Sequence, residues 1–461
     1  MRVTKLSAAI LSATFVTLLI VSVLPARAVP VFARKYKTSC QTCHAIFPKL
    51  SPFGEAFRLN GYRMPAETEE QVKQAPVPLG AEAYARVWPD AVYPGDLPGN
   101  VPVAINVKMA NVFSSSHDDT GRQIVHNDFQ FPQEVNLFSA GTLGPTFGFL
   151  GELTYAENPD GSSDVEIEHA QITWNSPGHL LNFKVGKFAP DLADGFQEMW
   201  LMTDNGVDAL FGYDPIGLRG GTGLSDGPLG ISLPAGVKAI EMYGVAAHRL
   251  FYTVGMANGI GPGPNGTHDG NSSKDYYARL DYKFGGMGLD GDTTGRQLPP
   301  ENWREDSVRV GVLGYLGNGK GIDFPVTDDE GLGLNEQDLR YEREGVFVSW
   351  YWRDLNLFGV ALHGSDRLEL FDPESGASID TSTRGWNAWF AQADYVIKPP
   401  FQASLRYESL TPADSSVKTQ RSLNANFSFL ARANVKAMLE YHRDLNDSLN
   451  YTLATVLRFA Y

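Results

Sequence analysis

Cys40-Gln41-Thr42-Cys43-His44 holds the only two thiols in a chain of 461 residues, with a histidine directly after the second. Four chemistries use such a cluster. A disulfide between Cys40 and Cys43 closes a very small loop and staples nothing distant. A redox dithiol of the thioredoxin kind needs a βαβ frame, and the flanking sequence has none. Zinc needs more ligands than two thiols and one imidazole. Covalent haem attachment remains: both thiols add to the vinyl groups of one haem c, and His44 becomes the fifth ligand of its iron. Two thioether bonds fix one edge of the macrocycle to one turn of chain, so the next residue's imidazole has little freedom left to lose on ligation.

The elements that would position this cluster are short. Ser39 is placed to cap a first helix with Cys40, Cys43, His44 and Phe47 on one face, interrupted at Pro48. Ser51-Pro52 reads as the cap and first residue of a second helix, which sets Phe53 and Phe57 on one side and stops at Asn60-Gly61. Both aromatic faces can cover haem edges or form an ordinary small core. For the sixth haem ligand Met64 is the methionine near the segment, and a methionine there raises the reduction potential relative to a second histidine. His117, His126 and His169 are its rivals, and an open or water-filled position is a further alternative.

The compartment follows from the start of the chain. Arg2 and Lys5 precede an apolar run from Leu6 to Leu24 that ends in Ala26-Arg27-Ala28, which predicts a secretory signal peptide over residues 1–28. Removing Arg2, Lys5 and Arg27 with it leaves 35 basic against 53 acidic side chains, a net charge near −18. That balance argues against a nucleic-acid partner and makes cations the natural charged partners. Asp118-Asp119 and Asp328-Asp329-Glu330 are acidic clusters that could concentrate a cation or simply solvate their loops. His-Glu-x-x-His does not occur, so zinc-protease chemistry has no motif to stand on.

From about Gly80 the pattern becomes two-residue alternation. Tyr451, Leu453, Thr455, Leu457, Phe459 and Tyr461 fall on one side of the last stretch, with Thr452, Ala454, Val456, Arg458 and Ala460 on the other. Tyr276–Phe284, Phe401–Glu408 and Val435–His442 repeat the device. Aromatic residues gather toward strand ends, long Gly/Asp/Asn loops such as Asn258 to Asp275 and Gly285 to Asp306 interrupt short turns, and the chain ends on Tyr461. No mature segment is apolar enough for a spanning helix, so a closed barrel is the way left to cross a membrane. A spanning strand with its share of connection takes roughly 24 residues, so the remaining chain makes about 16 strands. The expected fold is mainly β: a transmembrane antiparallel barrel over residues 80–461, with a small helical monohaem cytochrome c segment over residues 29–79 acting as a plug at its periplasmic end.

The stretch Phe32 to Tyr62, FARKYKTSCQTCHAIFPKLSPFGEAFRLNGY, resembles the N-terminal signature of the fused monohaem cytochrome-porins of bacterial outer membranes. The best-known members are iron oxidases that take electrons from Fe(II) outside the cell. The resemblance implies haem attachment at Cys40 and Cys43 and axial ligation by His44. It also implies a structural frame of Phe32-Ala33-Arg34, Pro48, Gly54, Phe57 and Gly61-Tyr62. The implied partners are outer-membrane lipid, extracellular Fe(II) or another external donor or acceptor, and a periplasmic c-type cytochrome or other electron carrier. Two alternatives use the same parts: a conduit carrying electrons outward, and a diffusion porin whose haem plug responds to redox state.

Overall fold

A computed structural model describes residues 31–36, 38–65, 77–78, 96–97, 102–117, 120–157, 162–193, 201–204, 207, 236–258, 272–295, 299, 301–317, 323–327, 333–372, 375, 377–413, 415 and 418–461. The leader and both acidic runs lie outside these residues.

Sixteen long strands form the wall. They begin with β1 (Val103–His117), β2 (Gln123–Leu143), β3 (Phe147–Glu157) and β4 (Ser163–Asn175). Next come β5 (Asn182–Phe188), β6 (Val237–Ala246), β7 (Leu250–Asn258) and β8 (Lys274–Gly285). The third quarter is β9 (Glu305–Gly317), β10 (Gly333–Arg353), β11 (Leu355–Phe371) and β12 (Ser378–Lys398). The last is β13 (Phe401–Pro412), β14 (Gln420–Arg432), β15 (Val435–Asp444) and β16 (Tyr451–Ala460). Each pairs antiparallel with its neighbours in sequence, a short strand Asp323–Thr327 adds to β10, and β16 pairs with β1 to close the sheet. Tyr461 completes the seam: its N–H donates to the Ile105 carbonyl at 2.8 Å, and the Ile105 N–H donates to its carbonyl at 2.9 Å.

Closure leaves no open edge, and alternation decides what faces each way. On β8, Tyr276, Leu280 and Phe284 point outward while Tyr277, Arg279, Asp281 and Lys283 are buried inside. β13 and β16 repeat the rule with Leu405 out against Arg406 in, and Leu453 out against Ala454 in. Both expected faces are therefore present, with the apolar one outside.

The connections at residues 144–146, 176–181, 247–249, 354, 399–400 and 433–434 are short and share one end with the start of β1 and the end of β16. The connection from Gly285 to Glu305 lies at this end too, not among the long loops where the sequence pattern had grouped it. Several inward aromatic rings lie flat over glycines of the neighbouring strand: a Cβ on Gly255 would meet the Tyr277 ring at 2.0 Å, and one on Gly364 would meet the Trp386 ring at 1.9 Å. Glycine is required there for close approach.

Candidate functional site

Residues 31–65 lie inside the short-turn mouth. A helix, α1 (Val31–Tyr36), is followed by a tight three-residue turn at Cys40–Thr42 and a small hairpin in which His44 pairs with Leu50 and Ile46 with Lys49. The helix expected over Cys40 to Phe47 is thus absent. Pro48 has no N–H to give the His44 carbonyl, and the Cys43 carbonyl accepts instead from the Ser51 N–H at 2.9 Å. The second helix, α2 (Pro52–Leu59), forms as its signals predict: Ser51 Oγ accepts from the Gly54 N–H at 3.1 Å, Pro52 opens it, and Gly61 follows at φ +65°. A Cβ on Gly54 would stand 1.9 Å from the Cys43 carbonyl oxygen, so this glycine lets α2 meet the cysteine turn.

The segment touches the wall around most of its circumference. Arg63 donates to the carbonyls of Gly144 at 2.7 Å and Phe147 at 2.6 Å, and Asn175 on β4 donates to the Leu59 carbonyl. Asn302, in the connection before β9, donates to the Thr42 carbonyl at 3.0 Å. Charges secure it as well: Arg58 meets Asp191 at 2.8 Å, Glu55 pairs with Arg309 on β9, and Lys49 pairs with Asp394 on β12. Burial alone would raise the Asp191 carboxyl, but Arg58 and Lys184 beside it outweigh that and hold it below the usual range.

Cys40 and Cys43 are free thiols. Burial pushes Cys43 up to about 12, with Cys40 adding repulsion, and burial raises Cys40 as well. His44 Nδ1 lies 2.9 Å from the Pro48 carbonyl oxygen. A carbonyl only accepts, so Nδ1 carries the proton and Nε2 keeps its lone pair. Burial lowers the His44 pKa against smaller opposing contributions from the Pro48 and Lys49 backbone, which keeps the ring neutral. That is the tautomer and charge state a metal-ligating imidazole needs. The donor set therefore fits a haem c: two unpaired thiols at the required spacing and an imidazole oriented by a carbonyl.

Phe57, Tyr62 and Tyr36 form a buried aromatic cluster, with Phe32 stacked on Tyr62 at 5.2 Å, and both Cys43 and Met64 pack against it. Of the rival ligands, His117 bonds Asp447 at the far end of β1, and His126 pairs opposite Ser114, close to that same end. His169 holds Glu152 at 2.8 Å, two residues along β4 from Gln171, which donates to the Tyr62 hydroxyl. The sequence reading missed Met202. It is buried in one cluster with Ala45 and Ile46, a contact that no local sequence pattern announces.

Outside, the wall is apolar, and Phe147, Tyr282, Phe284, Trp350, Trp352 and Tyr461 stand exposed near the short-turn rim as an interfacial girdle. The chain is a closed sixteen-strand antiparallel barrel whose apolar outer face and aromatic rim suit a lipid bilayer. No family model and no curated protein matches the sequence. Solved structures with similar folds include OmpF of Salmonella typhi in complex with daunomycin, at 10% identity and TM-score 0.49 over 78% of this chain and 97% of that one. An anion-selective porin of Comamonas acidovorans is 9% identical with TM-score 0.48 over 78% and 99%, and the outer-membrane channel DcaP of Acinetobacter baumannii is 12% identical with TM-score 0.45 over 78% and 96%.

Proposed function

We propose that this barrel moves single electrons across the bacterial outer membrane, between an external donor, Fe(II) first among them, and a periplasmic c-type cytochrome or comparable carrier. The observation that carries the reading is the Cys40-x-x-Cys43-His44 turn held in the short-turn mouth, with His44 Nδ1 tied to Pro48 so that Nε2 is free to ligate. Haem c, bound through Cys40 and Cys43, supplies one-electron chemistry there. The chain's own residues do the rest. Pro48 sets the imidazole's tautomer, Gly54 admits α2 against the cysteine turn, and Phe57 and Tyr62 keep water from one side. Met64 packs against the same rings as Cys43 and is the sixth ligand we favour. Each Fe(II) gives up one electron and leaves as Fe(III) on the outside, where its poor solubility does no harm to the periplasm.

A diffusion porin would use the same wall, but it needs wet inward side chains. Arg406, Glu241 and Asn424 face inward at 0% exposure, which favours a lumen filled with protein. The test is anaerobic stopped-flow absorbance of the purified protein in detergent, after a pyridine haemochrome assay has counted its covalent haem. Rapid reduction by Fe(II) at one electron per chain is the expected result. Full reduction by dithionite but none by Fe(II) would refute the inward iron-oxidising direction, and planar-bilayer conductance in both redox states would then separate an outward conduit from a gated porin.

A further inference from the structure

Strands of a closed barrel tilt, so a row of paired residues climbs the wall as it passes from strand to strand. One such row starts at Lys184, near the short-turn end of β5, and passes through Glu241 and Tyr277. It continues through Tyr315 and Arg343 to Trp386, well up β12 toward the loop end. Its inward side chains touch in succession. Tyr277 stacks on Tyr315 with ring centroids 6.0 Å apart and planes 2° off parallel, and Tyr315 stacks on Tyr341 at 5.8 Å and 11°. The Arg343 guanidinium lies 5.1 Å from the Tyr341 ring and 5.1 Å from the Trp386 ring. In the other direction the Tyr277 hydroxyl donates to Glu241 at 2.9 Å, and Lys184 stands 2.6 Å from Glu241 and 5.8 Å from the Tyr243 ring. The Asn175 amide then donates both to the Tyr243 hydroxyl at 3.1 Å and to the Leu59 carbonyl of α2 at 3.2 Å. The row therefore reaches the helix whose Phe57 shares a cluster with Cys43.

We infer that Tyr277, Tyr315 and Tyr341 relay electrons through the barrel, with Trp386 at the outer end of the route and Tyr243 at the inner end. The inference rests on the electron-transfer reading given above and supplies its route. The apolar band of such a barrel is about 25 Å tall, and tunnelling falls off exponentially with distance, so several short steps outrun one long one. A tyrosine can serve as a step only if its phenolic proton has somewhere to go as the electron leaves. Each of the three has a carboxylate in place: Tyr315 and Tyr341 both donate to Asp275 Oδ2 at 2.7 Å, and Tyr277 donates to Glu241. In each step one ring gives up an electron toward the segment, becomes a phenoxyl radical and passes its proton along the existing hydrogen bond. The proton returns when the next ring outward supplies an electron. Over the whole route one electron leaves the external donor and one arrives at ferric haem, with no net proton moved.

The test needs no Fe(II). T383C puts a thiol on an exposed residue toward the loop end of β12, to carry a ruthenium polypyridyl photo-oxidant while Cys40 and Cys43 hold haem. The haem is reduced and freed of reductant, and a laser flash with a soluble quencher turns the label into a one-electron oxidant. Absorbance then follows haem oxidation and any phenoxyl radical. The parent row should oxidise the haem with a transient phenoxyl signal. Y277F and Y315F keep their rings and lose the transferable proton; each should slow haem oxidation tenfold or more, in a barrel folded by heat-modifiable gel migration and with an unchanged haem midpoint. Y282F, on the lipid face of the same strand, should match the parent. Parent-like rates in both Y277F and Y315F would overturn the relay. A folded barrel with no covalent haem would overturn the haem reading and the relay with it, whereas row-dependent oxidation in a protein that Fe(II) fails to reduce would uphold the relay and refute only the iron donor.

Discussion

Lys49 is the clearest single bolt between the inner segment and the wall. Its side chain is 3% exposed, pairs with Asp394 at 0% exposure, donates to Asn356 Oδ1 at 2.7 Å, and lies 4.5 Å over the Phe358 ring. K49M keeps the length of the side chain and removes the charge. Asp394 is then left in a dry site with the Gln392 amide at 2.8 Å and no cation. Breaking one side of a buried pair costs about 3–5 kcal/mol, whereas replacing both sides with apolar groups is close to neutral. At 1.4 kcal/mol per factor of ten, local release of the segment should become about a hundred- to a few-thousand-fold more frequent. The assay is hydrogen exchange of the amides in α2 and the hairpin, read by mass spectrometry with the barrel in detergent. K49M should accelerate these amides by that factor while β13 to β16 stay protected, and K49M/D394L should recover most of the loss. Parent-like exchange in K49M, or a double variant as fast as the single one, would refute the reasoning that this pair secures the segment.

Three further outcomes follow from the same geometry. G54A drives a Cβ to 1.9 Å from the Cys43 carbonyl, so α2 must move off the cysteine turn; we expect much less covalent haem by pyridine haemochrome in a barrel that still folds. L405R puts a charge on the lipid face at mid-strand, where the leucine is 52% exposed, and should destabilise the barrel by about 2–4 kcal/mol in vesicle unfolding. Because Asp191 is held below its ordinary pKa, its pairing with Arg58 and Lys184 contributes fully above the unfolded value near pH 4 and is lost as pH falls through the lower folded value. Protease resistance of the segment should therefore decline in strong acid in the parent protein and show no such acid step in D191N.

The wall was legible because a strand's period is two and its faces meet opposite solvents. Tyr276 against Tyr277 and Leu453 against Ala454 alternate in sequence as they do in space, and sixteen strands followed from chain length alone. Helix α2 was legible for a different reason: its cap, Pro52 and Gly61 are local signals that act within one or two turns. The turn at Cys40–Thr42 was misread because Pro48 was taken only as a stop, while its effect on the His44 carbonyl and the competing Ser51 N–H work against the whole preceding helix. The partners of Glu55, Arg58 and Lys49 lie 133 to 345 residues away in sequence, and no local pattern encodes pairs that only closure of the barrel brings together.

Closure also explains why so many charges are inside. A water-filled pore leaves inward side chains solvated, whereas Asp281 here sits between Arg279 at 2.7 Å and Arg309, and Arg309 reaches on to Glu55 of the segment. Such groups are tolerable in a dry interior only when paired, so the wall and the segment each complete the other's electrostatics. Four strands are much longer than a crossing needs: β2, β10, β11 and β12 run 21, 21, 17 and 21 residues, against the 10 of β15 and β16. Since about 10 tilted residues suffice to cross a membrane, the surplus extends the wall beyond the loop end at these strands. The Cys40–His44 turn sits at the opposite mouth behind paired charge.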